Sequence, residues 1–247
     1  MTLRNLRNPQ TLLLVMAAAV PLSFATWQAL LNNFVIERAS FTGAEVGILQ
    51  SLREVPGFLA FAVVFALLLV REQRLAWISL ALLGLGTAVT GFFPYALGLY
   101  LTTVLMSLGY HYFETLHVSL TLQWVEKQHT PEMMGRIISV GSFAAIITFA
   151  LVWLAFDTAG LDFRWVYLIG GGITIVMAIA VAIIYPQFPE IHPQHKKLIL
   201  RRRYWLFYAL EFMSGARRQI FVVFAGFLMV EKFDFSVASI SALFLVN

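Results

Sequence analysis

Apolar runs long enough to cross a hydrocarbon core, about 20 residues each, recur along this 247-residue chain from one end to the other. They fall at Thr11–Ile36, Ala44–Val70, Leu75–Pro94, Ala96–Val125, Gly135–Asp157, Arg164–Tyr185 and Tyr204–Val230, each bounded by charge, Pro or Gly. An eighth begins near Ser236 and reaches Asn247. It supplies about 12 residues, or roughly 18 Å of helix against a core of about 30 Å, so the natural chain is expected to continue. A backbone in lipid must satisfy its own hydrogen bonds, which leaves helices for runs of this length. The fold class expected is an all-α integral membrane protein with seven full transmembrane helices and a truncated eighth.

Composition excludes the competing classes. Hydrophobic residues make up 60% and charged residues 12%, against about 25% charged in a soluble domain. There is no Cys, which removes disulfides, thiol catalysis and thiolate metal sites. The net charge of +4 does not read as a nucleic-acid surface, because the basic residues sit in short loops between spans. Arg4, Arg7, Arg71, Arg74, Lys127, Arg136, Lys196, Lys197, Arg201, Arg202 and Arg203 fall on one side, and Arg38, Arg164 and Lys232 on the other. The positive-inside rule then puts the N-terminus in the cytoplasm. A long first apolar run followed by more spans is not a cleavable signal, and the location expected is a bacterial inner membrane.

Thr42 and Glu45 have the spacing of a capping box at the start of the second span. Arg53 and Glu54 then lie about 16 Å inside it. Pro186 to Arg203 (PQFPEIHPQHKKLILRRR) is longer than the other loops, with three prolines and five basic residues, and it reads as a linker between two bundles. The division expected is a six-helix bundle over 1–185, a basic cytoplasmic linker over 186–203 and the start of a second bundle over 204–247.

Six spans, a basic linker and a new set of spans resemble the major facilitator superfamily. FTGAEVGILQSL is similar to the start of that family's second helix, and PEMMGR, with Glu132, Gly135 and Arg136, to its loop between helices 4 and 5. The family motif G-x-x-x-D-R-x-G-R-R is matched in ALLLVREQRL only at Arg71 and Arg74; Ala66, Val70, Gln73 and Leu75 depart from it. Because the motif's Asp is missing, only those two arginines, with Arg136, are carried over as a gating loop. The fifth helix lacks the Gly-Pro signature of proton-coupled antiporters, so drug–proton antiport is not expected.

An ionisable side chain at mid-bilayer costs about 2.5–3.5 kcal/mol on the insertion scale and marks a candidate functional site. In the fourth span Tyr100, Thr103, Ser107, Tyr110, His111, Glu114, His117 and Thr121 share an arc of roughly 120°. The resemblance implies that this stripe faces substrate, and Glu114 with His111 and His117 is expected to handle protons. Glu211, Arg217 and Arg218 in the seventh span suit a carboxylate or phosphate, which an arginine fork grips through two hydrogen bonds. Arg53 and Glu54 in the second span, with Gln28 and Asn32 in the first above a kink at Pro21, are further candidates.

These groups point to secondary active transport of a small solute, an organic anion coupled to protons, by alternating access. The expected partners are that solute and the bilayer, with no nucleic acid, cofactor or resident metal, and the chain is expected to act as a monomer. One structural alternative is that Arg53, Arg217 and Arg218 merely neutralise Glu54, Glu114 and Glu211. Another is a membrane-embedded enzyme or metal-ion transporter using His111, Glu114 and His117. A retinal protein would need a lysine in Tyr204–Val230, which has none.

Overall fold

The computed structural model describes residues 7–189 and 201–246; within its penultimate helix the side chains at 211, 212 and 214–223 lie outside the description. The described chain is helical, with no strand among the described residues. In order the helices are α1 (Pro9–Glu37), α2 (Gly43–Phe58), α3 (Val63–Ala66), α4 (Glu72–Thr90), α5 (Ala96–Trp124), α6 (Thr130–Asp157), α7 (Phe163–Ile184), α8 (Trp205–Phe233) and α9 (Val237–Val246). Single 3-10 turns at Ala60–Ala62 and Arg202–Tyr204 precede α3 and α8.

Most boundaries follow local chemistry. Asn8 caps α1 by accepting from the Thr11 amide at 2.7 Å, and Pro9 at the first position forgoes an N–H that would have no helical partner. The Thr42 amide donates to Glu45 Oε2 at 2.7 Å, the bond expected of a capping box. The second span departs from the continuous helix expected over Ala44–Val70. It is α-helical to Phe58, tightens into the 3-10 turn and ends in the four residues of α3. Pro56 brings no N–H to the ladder, and Gly57 beside it is a weak helix former. At Pro21, by contrast, α1 stays helical. The Ala17 carbonyl, which Pro21 cannot serve, faces Gly141 of α6, where a Cβ would lie 3.8 Å from it.

α4 packs between α5 and α7, α1 between α6 and α7, and α2 lies on α5. α8 touches α1 and α2, and α9 lies on α6 and α1. Lipid tails are as apolar as Leu, so close backbone approach and polar contacts decide which helices meet. A Cβ on Gly109 of α5 would collide with the backbone of Ser79 and Leu83 in α4, and one on Gly171 of α7 with that of Gly84 and Ala88. Ser23 of α1 donates to Thr174 of α7 at 2.8 Å. Trp27, Phe34, Phe113 and Tyr167 fill the centre, each at most 1% exposed.

The outer surface inverts the pattern of a soluble protein. Ile138, Phe143 and Leu151 on α6 and Val176 and Ile183 on α7 are exposed apolar side chains. Among the described residues, Pro9–Glu37, Gly43–Ala66, Thr130–Asp157 and Phe163–Ile184 are long and apolar enough to cross a membrane.

Candidate functional site

The polar residues of the middle spans meet where α1, α2 and α5 converge. Arg53 donates from Nε and Nη2 to Glu54 Oε1 at 3.0 and 2.6 Å. Adjacent helical residues do not ordinarily face each other; here the long arginine folds back along its own helix, so the pair forms within α2. The arginine side chain is 12% exposed and the glutamate 40%. The guanidinium lies 5.7 Å from the centre of the Trp27 ring, where the π-face adds a cation–π attraction.

α5 closes on this pair with its polar stripe. The Ser107 hydroxyl donates to the Arg53 carbonyl. Tyr110 stacks on Phe24 of α1 at 4.4 Å and meets His111 edge-on at 5.2 Å. His111 lies flat against α2 because residue 57 is glycine: a Cβ there would stand 2.8 Å from the imidazole Cε1. The conformational break of α2 and the seating of His111 thus share one residue.

Glu114 is different. It is exposed, and among the described residues no hydrogen bond or ion pair engages its carboxylate. Three residues on, His117 is 6% exposed, its Nε2 3.0 Å from the Leu13 carbonyl of α1 and its ring stacked on Phe113 at 5.0 Å. One stripe therefore serves two purposes: Ser107 and His117 hold helices together, while Glu114 stays accessible. Among the described residues no three His, Asp or Glu side chains gather closely enough to hold a metal ion, and His111, Glu114 and His117 do not converge on a point.

The other candidates disperse. Gln28 and Asn32 are half-buried; Gly226 of α8 packs on Asn32, with a Cβ there only 2.7 Å from Nδ2. The neighbouring Asn33 makes the stronger connection, donating to the Phe235 carbonyl at 2.7 Å and pinning the α8–α9 corner to α1. Arg71 and Arg74 are exposed at the start of α4. Arg136 pairs with Glu132 on its own helix at 2.6 Å, both side chains 60% exposed. The side chains of Glu211, Arg217 and Arg218 lie outside the described residues.

Sequence reasoning passed over Asn33 and a polar group at one end of the bundle. Glu72 and Gln73, read as loop residues, are 6% and 4% exposed, and Gln123 at the end of α5 is 2% exposed and donates to Glu72. Asn33 offered no signal beyond its residue type; Glu72 and Gln123 sit 51 residues apart in sequence and only the tertiary packing joins them.

Helices with apolar side chains outward and polar contacts between them define a multi-pass membrane protein. The sequence matches the family profile described as the Major Facilitator Superfamily over residues 11–247, and the chain belongs to that family of membrane transporters, a transporter family and not an enzyme family. No curated protein matches it.

Proposed function

We propose that this chain is a secondary active transporter of a small organic anion, coupled to protons and working by alternating access between two bundles. The observation that carries the reading is Glu114: an accessible carboxylate in the middle of a 29-residue helix, with no partner among the described residues, beside His111. A side chain so costly to keep in a membrane is retained for use. In this reading Glu114 carries the proton, His111 assists it, and the Arg53–Glu54 pair rearranges as substrate arrives. His117, hydrogen-bonded toward Leu13, holds α1 to α5. Arg217, Arg218 and Glu211 form the anion site, and Arg71, Arg74 and Arg136 line the gating end.

The same reading takes seven full spans and a short eighth, divided as 1–185, 186–203 and 204–247, in an inner membrane with the N-terminus in the cytoplasm. Loop arginines on one side support that orientation. No observation favours the metal or enzyme alternative.

The test uses proteoliposomes offered radiolabelled lactate, benzoate and succinate. Wild type should take up at least one of them when the external pH is lowered. Glu114→Gln should lose that pH-driven uptake while keeping exchange of the same anion. Proton coupling that survives Glu114→Gln refutes the assignment of Glu114, and no transport of any carboxylate by wild type refutes the anion.

A further inference from the structure

Glu72 begins α4, Trp124 ends α5 and Pro186 follows α7, and at this end of the bundle a cavity of about 430 Å³ opens between them, lined by Arg71, Glu72, Gln123, Trp124, Gln187 and Phe188 among others. It takes no part in the mid-span cluster. Glu72, Gln123 and Trp124 are 6%, 2% and 8% exposed, yet each has a polar atom without a partner among the described residues: Glu72 Oε1, Gln123 Oε1 and Trp124 Nε1. Gln123 Nε2 donates to the other Glu72 oxygen, so the carboxylate and the amide are braced together and each keeps one acceptor unfilled. A carboxylate so far removed from water, served by a single neutral donor, has no ion-pair partner among the described residues, and burial favours one.

The far wall is aromatic and held in place. Gln73 donates from Nε2 to the Pro186 carbonyl at 2.9 Å and accepts from the Phe188 amide at 2.9 Å, the pattern by which one strand grips another. That fixes Phe188 edge-on to Trp124, ring centres 5.5 Å apart. Carboxylate and amide oxygens beside indole and phenyl rings are the surroundings that ammonium groups favour, and the cavity is large enough to admit one. Arg71, exposed at the rim, opposes a second positive charge. Glu72 falls where the family motif leaves the residue free and Gln73 where it has glycine, so the motif does not supply this site.

We propose that this cavity binds a small primary ammonium group, which donates to Glu72 Oε1 and Gln123 Oε1 and lays its alkyl part against the wall that Trp124 and Phe188 form.

The test is calorimetric titration of the full chain, purified in dodecyl maltoside, with n-butylammonium chloride. Saturable binding to wild type is expected, with tetramethylammonium, which has no N–H to donate, weaker by about tenfold or more. Glu72→Gln and Gln123→Leu should weaken butylammonium by a similar factor, with thermal unfolding confirming that each variant is folded. Glu114→Gln should bind as wild type does, which keeps this site separate from the proposed transport site. No saturable binding to wild type, equal affinity for tetramethylammonium, full affinity in a folded Glu72→Gln, or loss in Glu114→Gln would each overturn the proposal; the wild-type comparison decides even if neither cavity variant folds. Repeating the titration in nanodiscs separates two sources of the ammonium. Weaker butylammonium binding in phosphatidylethanolamine than in phosphatidylcholine supports the site with a lipid headgroup as occupant, and equal binding supports it with a soluble amine.

Discussion

Two adjacent glycines in α7 provide a controlled test of what joins the helices. A Cβ at Gly171 would collide with the Ala88 amide and the Gly84 carbonyl of α4, whereas at Gly172 nothing stands within 4 Å. The two positions differ by the roughly 100° that one residue turns in a helix. The atoms in the way at Gly171 are backbone, which has no rotamer to adopt, so Gly171→Ala must push α4 and α7 apart along their length. Overpacking of this kind costs about 1–3 kcal/mol. In water alanine would recover about 1 kcal/mol through its better helix propensity, but a helix that separates within a membrane or micelle remains a helix, so most of that gain cancels. A net loss of about 1–3 kcal/mol is therefore expected for Gly171→Ala, and a change within about 0.5 kcal/mol for Gly172→Ala. Unfolding by dodecyl sulfate in mixed micelles measures both. Gly84→Ala should cost a similar amount and combine with Gly171→Ala non-additively, since both open one seam. Equal effects at 171 and 172 would show that the close approach of α4 and α7 does not hold the bundle.

The other substitutions probe single contacts. His117→Ala removes a buried hydrogen bond to the Leu13 carbonyl and a ring stacked on Phe113; a loss of about 2–4 kcal/mol in the same unfolding assay is expected, with the pH dependence of uptake retained. Asn33→Ala severs the bond to the Phe235 carbonyl and should cost about 1 kcal/mol and speed amide exchange at 234–236; unchanged exchange would mean the α8–α9 corner is held by packing alone. Arg38 and Asp162 meet at 2.7 Å with side chains 52% and 40% exposed, so Arg38→Gln should change stability by less than about 1 kcal/mol, an effect that fades in high salt.

Part of the candidate site was legible in the chain because it depends on cost alone. Glu114, His111, Arg53 and Glu54 stood out as charged or titratable groups deep within apolar runs, and the structure brings His111 against α2 at Gly57, on the helix that carries Arg53 and Glu54. Their uses were not legible. His117 and Glu114 share a stripe by helical spacing, yet one is buried against Leu13 and the other is exposed, because a stripe 120° wide spans both a helix contact and its open edge. Asn32 and Asn33 have the same chemistry, and only the position of Phe235 selects Asn33.

The chain by itself determined the class of protein and nearly every helix: with no water to bind backbone groups, a run of some 20 apolar residues has one economical conformation, and caps such as Asn8 and Thr42 mark where it starts. It also carried the resemblance that the family match over 11–247 bears out. The tertiary structure decided the rest. It chose which glycine faces a neighbouring helix, and it enclosed Glu72, Gln73 and Gln123 at one end of the bundle. The physical reason is that helix formation in lipid is local, settled by a residue and its neighbours within a turn, whereas burial of a particular polar atom depends on which helices lie beside it, and in an apolar medium that is set by close fit between surfaces far apart in sequence.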